Sequence, residues 1–172
     1  MNAILETTHA QVGCAGILIA DTFCGPMKEL PREGQLLAVD AMPTKAGGCA
    51  ANVALDLVKQ GVAVEVLGCV GRDVSAEALR RLLEQGDVGC RHLICADGLP
   101  TSRTVILLVE GQDRRYLHFF GANGAFKVGH IRRDWVANLK LFYLGGLGAL
   151  PGLKTVELLE LLPFCRSQGV TT

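Results

Sequence analysis

Apolar residues along this chain follow two rhythms, and the change from one to the other marks its elements. Gln11 to Ala20 is an apolar run punctuated by Gly13 and Gly16 and closed by Asp21, which predicts a buried first strand. Pro26, Pro31 and Gly34 make residues 24 to 34 a turn-rich link; Leu36 to Ala41 predicts a short strand, and Pro43 to Gly48 a breaker-rich loop. From Cys49 to Gln60 the spacing turns helical, with Val53 and Leu57 on one line, Ala54, Leu55 and Val58 on another, and Gly61 at the C-cap. Ala63 to Val70 returns to strand, Gly71-Arg72-Asp73 is a turn, and Val74 to Gln85 is helical again. In that helix Leu79, Leu82 and Leu83 face one way and Arg80, Arg81 and Glu84 the other; Asp73 or Ser75 caps it and Gly86 stops it. Strand, helix, strand, helix is the written form of a parallel α/β sheet covered by helices on both faces.

Past Gln85 the alternation breaks. Thr104 to Glu110 and Arg115 to Phe120 are strand-like runs joined by Gly111-Gln112-Asp113-Arg114, which predicts a β-hairpin foreign to a plain βαβ repeat. With the segment 36 to 41 it implies a small accessory sheet. Beyond Gly121-Ala122-Asn123-Gly124, Lys140 to Leu144 is a short strand and Lys154 to Gln168 a helix that Pro163 should kink or shorten. Gly169-Val170-Thr171-Thr172 then reads as the entry to a further buried strand, so the expectation is a sequence that stops mid-fold.

Composition narrows the function classes. Seventeen basic and seventeen acidic residues cancel, and aromatics make up 5%. A nucleic-acid surface, which needs a basic footprint and stacking rings, is not expected. The seven cysteines include no Cys-x-x-Cys pair and most sit in apolar runs, which reads as reduced thiols in a cytoplasmic protein. No stretch reaches the roughly 18 apolar residues of a membrane span, and the first residues carry no signal-peptide pattern.

Several chemistries are missing by motif. There is no G-x-x-x-x-G-K-[ST] phosphate loop, no His-Glu-x-x-His, no G-x-S-x-G elbow, and the four histidines are too dispersed to form a metal-ligand set. Gly146-Leu147-Gly148 begins a dinucleotide fingerprint, but Pro151 takes its third glycine position, which disfavours a Rossmann dehydrogenase. The positive signal is Ala46-Gly47-Gly48-Cys49-Ala50-Ala51-Asn52-Val53-Ala54. Paired glycines at a loop-to-helix junction let a ligand approach the backbone, the first amides of the helix can donate to its oxygens, and the Asn52 carboxamide offers both donor and acceptor to a polyol. The same pattern also serves a plain tight turn before a packed helix.

The stretch Ala46 to Gly71 resembles the first signature of the ribokinase-like (PfkB-type) carbohydrate kinases through Gly47, Gly48, Asn52, Ala54, Gly61 and Gly71. Val66 to Asp73 is similar to that family's next strand and G-x-D turn. Pro100-Thr101 with the hairpin 104 to 120 resembles its lid strands, and Leu117 to Asn123 its Gly-Ala-Asn segment. Asp21 stands in the place of the sugar-binding aspartate. Each motif is weak alone; five in register, in order along nearly the whole chain, are specific.

The resemblance implies a single ribokinase-like kinase domain of which residues 1–172 are the N-terminal part, with lid strands within about 24–45 and 101–122. It implies transfer of the ATP γ-phosphoryl group to a sugar hydroxyl, with Asp21, Gly47, Gly48, Asn52 and Asn123 as substrate-binding residues. No catalytic residue is expected in this chain. The family's Gly-Ala-Gly-Asp segment, source of the anion hole and general base, is absent, so the base is expected beyond Thr172 and the chain alone is expected to be inactive. ATP and Mg2+ are expected mainly in that second half, and a homodimer through the lid is an allowed assembly. Each residue has a local role as well: Asp21 as a loop cap, Asn52 at its helix terminus, Asn123 in its turn, Asp73 as cap. His118 and Phe119 alternate, so one of them faces the pocket. Cys49 replaces the lysine that follows the glycine pair in ribokinases proper, which argues against ribose itself. A nucleoside kinase of the same fold, and a non-catalytic sugar-binding or dimerisation fragment, are the alternatives.

Overall fold

The structure, a computed structural model, describes residues 10–172. Its strands are β1 (Val12–Gly16), β2 (Ile19–Met27), β3 (Thr44–Gly47), β4 (Val64–Val70), β5 (Gly89–Cys95), β6 (Arg103–Val109), β7 (Arg115–Phe119) and β8 (Leu141–Gly145). Its helices are α1 (Cys49–Val58), α2 (Val74–Gln85), α3 (Arg133–Val136) and α4 (Thr155–Ser167). The strands sort into two four-stranded sheets, one ordered β5-β4-β1-β8 and the other β3-β2-β6-β7.

The first sheet is parallel throughout its paired strands. All seven residues of β4 are buried, because helices cover both of its faces. Val64, Val66 and Val70 turn toward α1 and α2 and pack with Ala50, Ala54, Leu79 and Leu83. Leu67 and Cys69 turn the other way, toward Phe126, Trp135, Val136, Phe142, Leu161 and Cys165. Burying one such large side chain contributes about 1.5–3 kcal/mol. The charge inside this layer is satisfied: the buried Glu65 carboxylate accepts from the Trp135 indole N–H at 2.8 Å and pairs with the Arg91 guanidinium.

The second sheet is the lid. Its centre is the parallel pair β2·β6, with β3 and β7 antiparallel on the outsides. Asp73 joins it to the first sheet. The Asp73 carboxylate accepts from the Ala76 amide at 2.9 Å, capping α2, and also from the Thr101 amide at 2.8 Å and the Thr101 hydroxyl at 2.6 Å, just before β6 begins. Burial works to raise this acid, but these hydrogen bonds, with Arg103 nearby, outweigh it and hold it below the usual carboxylate range.

Several expectations are corrected. The run Gln11 to Ala20 is not one strand: it breaks at Ile17-Leu18 into β1 of the first sheet and β2 of the lid, which continues past Asp21 to Met27. Leu36 to Ala41 forms no strand, since nothing pairs with it, and Leu36 is exposed. The lid's remaining N-terminal strand is β3, inside the span expected to be loop. A strand was not anticipated at β5, where apolar and polar positions mix because the strand lies at the sheet edge. Pro163 lies inside α4 without ending it. Of the cysteines, Cys14, Cys69, Cys90 and Cys165 are buried, while Cys49 and Cys95 are exposed. Burial pushes the Cys14 thiol up to about 12, so it stays protonated and inert.

Candidate functional site

The site grows from strand register. Across the lid, Asp21 on β2 pairs with Lys45 on β3 and with Thr104 on β6, and Thr104 pairs with His118 on β7. Directly paired residues share a face of the sheet, so one polar row crosses all of the lid. Two residues along, the next row is Phe23, Ile106 and Tyr116, apolar and aromatic. The lid therefore presents a polar stripe beside a greasy one.

These stripes open on a cavity of about 330 Å3 whose polar lining is Asp21, Thr104, His118 and Asn123. The rest of its wall is aliphatic or aromatic, Ile17, Ile19, Ile106, Phe120 and Ala149 together with the Tyr116 phenol. Lys45 does not line it; its ammonium lies over the Phe23 ring, 5.1 Å from the centroid. Burial raises the Asp21 acid above its ordinary value, while the Thr104 hydroxyl and the nearby His118 pull it back down. A half-buried carboxylate of this kind gains by accepting hydroxyl hydrogen bonds from a ligand.

The paired glycines have separate tasks. At Gly47 a Cβ would overlap the Asp21 carboxylate, so the missing side chain is the space in which that carboxylate sits. Gly48 has φ +89° and a Cβ there would strike the Ile17 carbonyl, the same oxygen that accepts from the Ala50 amide at 3.2 Å. The room at Gly47 and Gly48 thus receives the chain's own crossing from β1 to β2, and one of the first amides of α1 is spent on that crossing.

Asn123 sits in a 3₁₀ turn, Gly121–Ala125, and is almost wholly buried. Its Nδ2 donates to the Leu18 carbonyl at 2.9 Å and its Oδ1 accepts from the Leu18 amide at 3.2 Å. It clamps the break between the two sheets and forms part of the cavity wall. Asn52 is exposed on the first turn of α1, its backbone amide donating to the Gly48 carbonyl at 3.0 Å, and it is not among the cavity-lining residues. The structure therefore brings Asp21, Gly47 and Gly48 together, adds Asn123 at the wall, and leaves Asn52 aside. His118 faces the cavity and Phe119, by strand alternation, faces away.

The family model for pfkB family carbohydrate kinases matches residues 10–172. The chain belongs to that family. Among related sequences it is 34% identical over 114 residues to the bifunctional protein HldE of Alcanivorax borkumensis, an alignment covering 64% of this chain and 24% of that protein. To the HldE protein of a Marinomonas species it is 45% identical over 85 residues, 49% of this chain and 18% of the relative. A nucleoside kinase of Methanothermobacter thermautotrophicus is 24% identical over 118 residues, 69% of this chain and 38% of the relative. Among solved structures, Arabidopsis thaliana ribokinase complexed with ribose and ATP superposes with a TM-score of 0.75 at 20% identity, over 95% of this chain and 52% of that one. A PfkB protein from Polaromonas reaches 0.76 at 17% identity, over 94% and 53%. At such identities the structures show the fold: a ribokinase-like α/β arrangement, of which this chain spans about half the length.

Sequence reasoning did not single out Thr104, Tyr116 or Phe120. Alternation along β7 does place 116, 118 and 120 on one side, but only the register with β6 shows that this side is the cavity. For ATP and magnesium the residues present do not fit. Among the described residues no group of three or more His, Cys, Asp or Glu is placed to hold a metal ion, and the amides at α1 lead into a crossing rather than an open phosphate cradle.

Proposed function

We propose that this chain supplies the sugar-binding part of an ATP-dependent carbohydrate kinase. The observation that carries the reading is Asp21, a half-buried carboxylate facing a half-open cleft of about 330 Å3. That volume lies in the range of small-ligand sites. Asp21 accepts hydroxyl hydrogen bonds, Gly47 and Gly48 let it and the β1–β2 crossing take up their positions, and Asn123 fixes the wall. These contacts hold the acceptor hydroxyl in place; positioning is most of what phosphoryl transfer asks of a protein. Closure of the lid over the ligand would exclude water, the competing acceptor. The base, ATP and Mg2+ belong to the part of the family fold that follows.

Calorimetric titration with D-ribose, D-fructose and adenosine, beside an ATP-turnover assay on the 172-residue chain, tests this. Binding of a sugar, its loss in Asp21→Asn, and no turnover are the expected results. A wild-type chain that binds none of the three, or an Asp21→Asn chain that binds as well, overturns the reading.

A nucleoside kinase is the second reading, favoured by one observation. Few aromatics are present, yet Tyr116, His118 and Phe120 gather at this cavity, with His118 and Phe120 edge-to-face at 4.6 Å. Adenosine binding tighter than either sugar would establish it. The proposal extends to a homodimer through the lid's outer face, where Leu117 and Phe119 are exposed, and to a cytoplasmic setting. Among the described residues no helix is long and apolar enough to cross a membrane.

A further inference from the structure

We propose that the edge of the parallel sheet carries a second site, a recess beside β5 that binds a small phosphoryl oxyanion, either inorganic phosphate or the head of a phosphate ester. It shares no residue with the lid cavity and does not depend on the kinase reading.

The site starts from an irregularity in the sheet. Glu65 on β4 pairs with Gly89 on β5, but Leu67 pairs with His92, so β5 carries one residue more than β4 over this stretch. Such a bulge is rare between parallel strands, and it re-aims side chains. Consecutive residues of a regular strand face opposite sides. Here Arg91 and His92 both reach the same buried carboxylate, Glu65, the first as an ion pair and the second with Nε2 at 3.3 Å from an oxygen. The bulge therefore sets two basic side chains next to each other, on the side where Trp135, Arg132 and His130 lie. Together they line a half-open recess of about 190 Å3. Its polar lining is Arg91, His92, His130 and Arg132, and no acid lines it.

These groups have hydrogens to give. Asp134 takes Nε and Nη2 of Arg132, which leaves Nη1; Glu65 takes Nε of Arg91, which leaves both Nη groups. For His130 the tautomer follows from its partners. The Lys127 amide donates to Nδ1 at 3.4 Å, and an amide can only donate, so Nδ1 is bare and the ring hydrogen is on Nε2. The Cys69 thiol lies 3.7 Å from the same Nδ1, and burial pushes it up to about 11, so it too donates there. His92 Nε2 is the one buried side-chain nitrogen or oxygen among the described residues with no hydrogen bond. Guanidinium forks match the oxygens of a phosphoryl group, and the hydrogen bonds they make to it are charge-assisted. Leu67 and the Trp135 indole, with the His92 ring 4.5 Å from it, form the apolar back wall. The volume sets the size of the guest. It falls below the roughly 300 Å3 at which pockets for drug-sized ligands begin, so a phosphoryl group fits and the rest of an ester lies outside.

Trp135 is the only tryptophan of the chain, so its fluorescence reports on this recess. Sodium phosphate titrated into the 172-residue chain, with sodium chloride holding ionic strength constant, should give a saturable change with a midpoint on the order of 1 mM. Arg132→Gln, at a side chain 69% exposed, should raise that midpoint about tenfold, the worth of a hydrogen bond to a charged group. Arg133→Gln removes the same charge one position along, at a side chain that lies over Phe164 instead, and should leave the midpoint within about twofold. D-Ribose 5-phosphate in place of phosphate tells the source. A lower midpoint means that the phosphoryl group arrives on an ester, an equal or higher one that the free ion is the ligand, and either upholds the site. No saturable change up to about 50 mM phosphate, the same change with chloride alone, or equal weakening by the two variants overturns the proposal and leaves the kinase reading untouched.

Discussion

The two sheets of this protein bury their residues to opposite ends. In the parallel sheet β4 is buried from Val64 to Val70, and its one charged side chain is fully engaged by Trp135 and Arg91. In the lid, β7 is exposed at every residue, and β2, β6 and β7 keep a carboxylate, a hydroxyl and an imidazole on the face that meets the cavity. One sheet holds the fold through apolar contact. The other gives up part of that contact and keeps a row of polar side chains at the cavity. Functional elements commonly come from the less stable end of a structure, and here the division follows the boundary between the sheets.

The largest test of this contrast is Phe142→Ala. The Phe142 side chain is 1% exposed in β8, so its removal should cost about 3–5 kcal/mol, read as a lowered urea midpoint. A loss under about 1 kcal/mol would mean that the parallel sheet is not the stabilising layer.

Asp21→Asn should do the reverse. Sugar binding should weaken about 10- to 100-fold, the worth of hydrogen bonds to a charged group, with no fall in thermal midpoint. The sign follows from the raised acid. The folded state holds its proton more tightly than the unfolded chain, so this group favours folding at acid pH, and that contribution is lost as pH rises through the folded value. Comparing urea midpoints of wild type and Asp21→Asn between pH 4 and pH 7 should show the variant freed of that loss.

Asp73→Ala comes next. It removes the α2 cap and the anchor of Thr101, at a cost of about 0.5–2 kcal/mol, and hydrogen exchange should quicken in β6 more than in β4. Because hydrogen bonds hold Asp73 below the usual range, its stabilising effect is present at neutral pH and fades as pH falls through that lowered value. Leu117→Ala is the smallest. At 65% exposure on the lid's outer face it should change stability by no more than about 0.5 kcal/mol in the monomer.

Much of the parallel half was legible because its signals are local. The helix Val74 to Gln85 was readable to the residue, since Asp73 caps it and Gly86 stops it. The split at Ile17-Leu18 was not, because Gly16, where β1 ends, reads no differently in the sequence from Gly13 inside the strand. What fixes it is Asn123, more than a hundred residues later, gripping both backbone groups of Leu18. Leu36 to Ala41 reads as a strand because a short apolar run is a local signal, whereas a strand also needs a partner. In the site, Asp21 and the glycine pair were readable by place and motif. The row through Thr104 to His118 depended on register, which pairs residues from three separate stretches of chain and leaves no trace in any one of them.

The contact between Gly47 and Asp21 constrains how this sequence can drift. A methyl group at position 47 would displace the Asp21 carboxylate from the space it now fills, so alanine there requires the acid to swing into another rotamer. The two positions are therefore coupled, and a descendant with a side chain at 47 carries its acid at 21 in a different place.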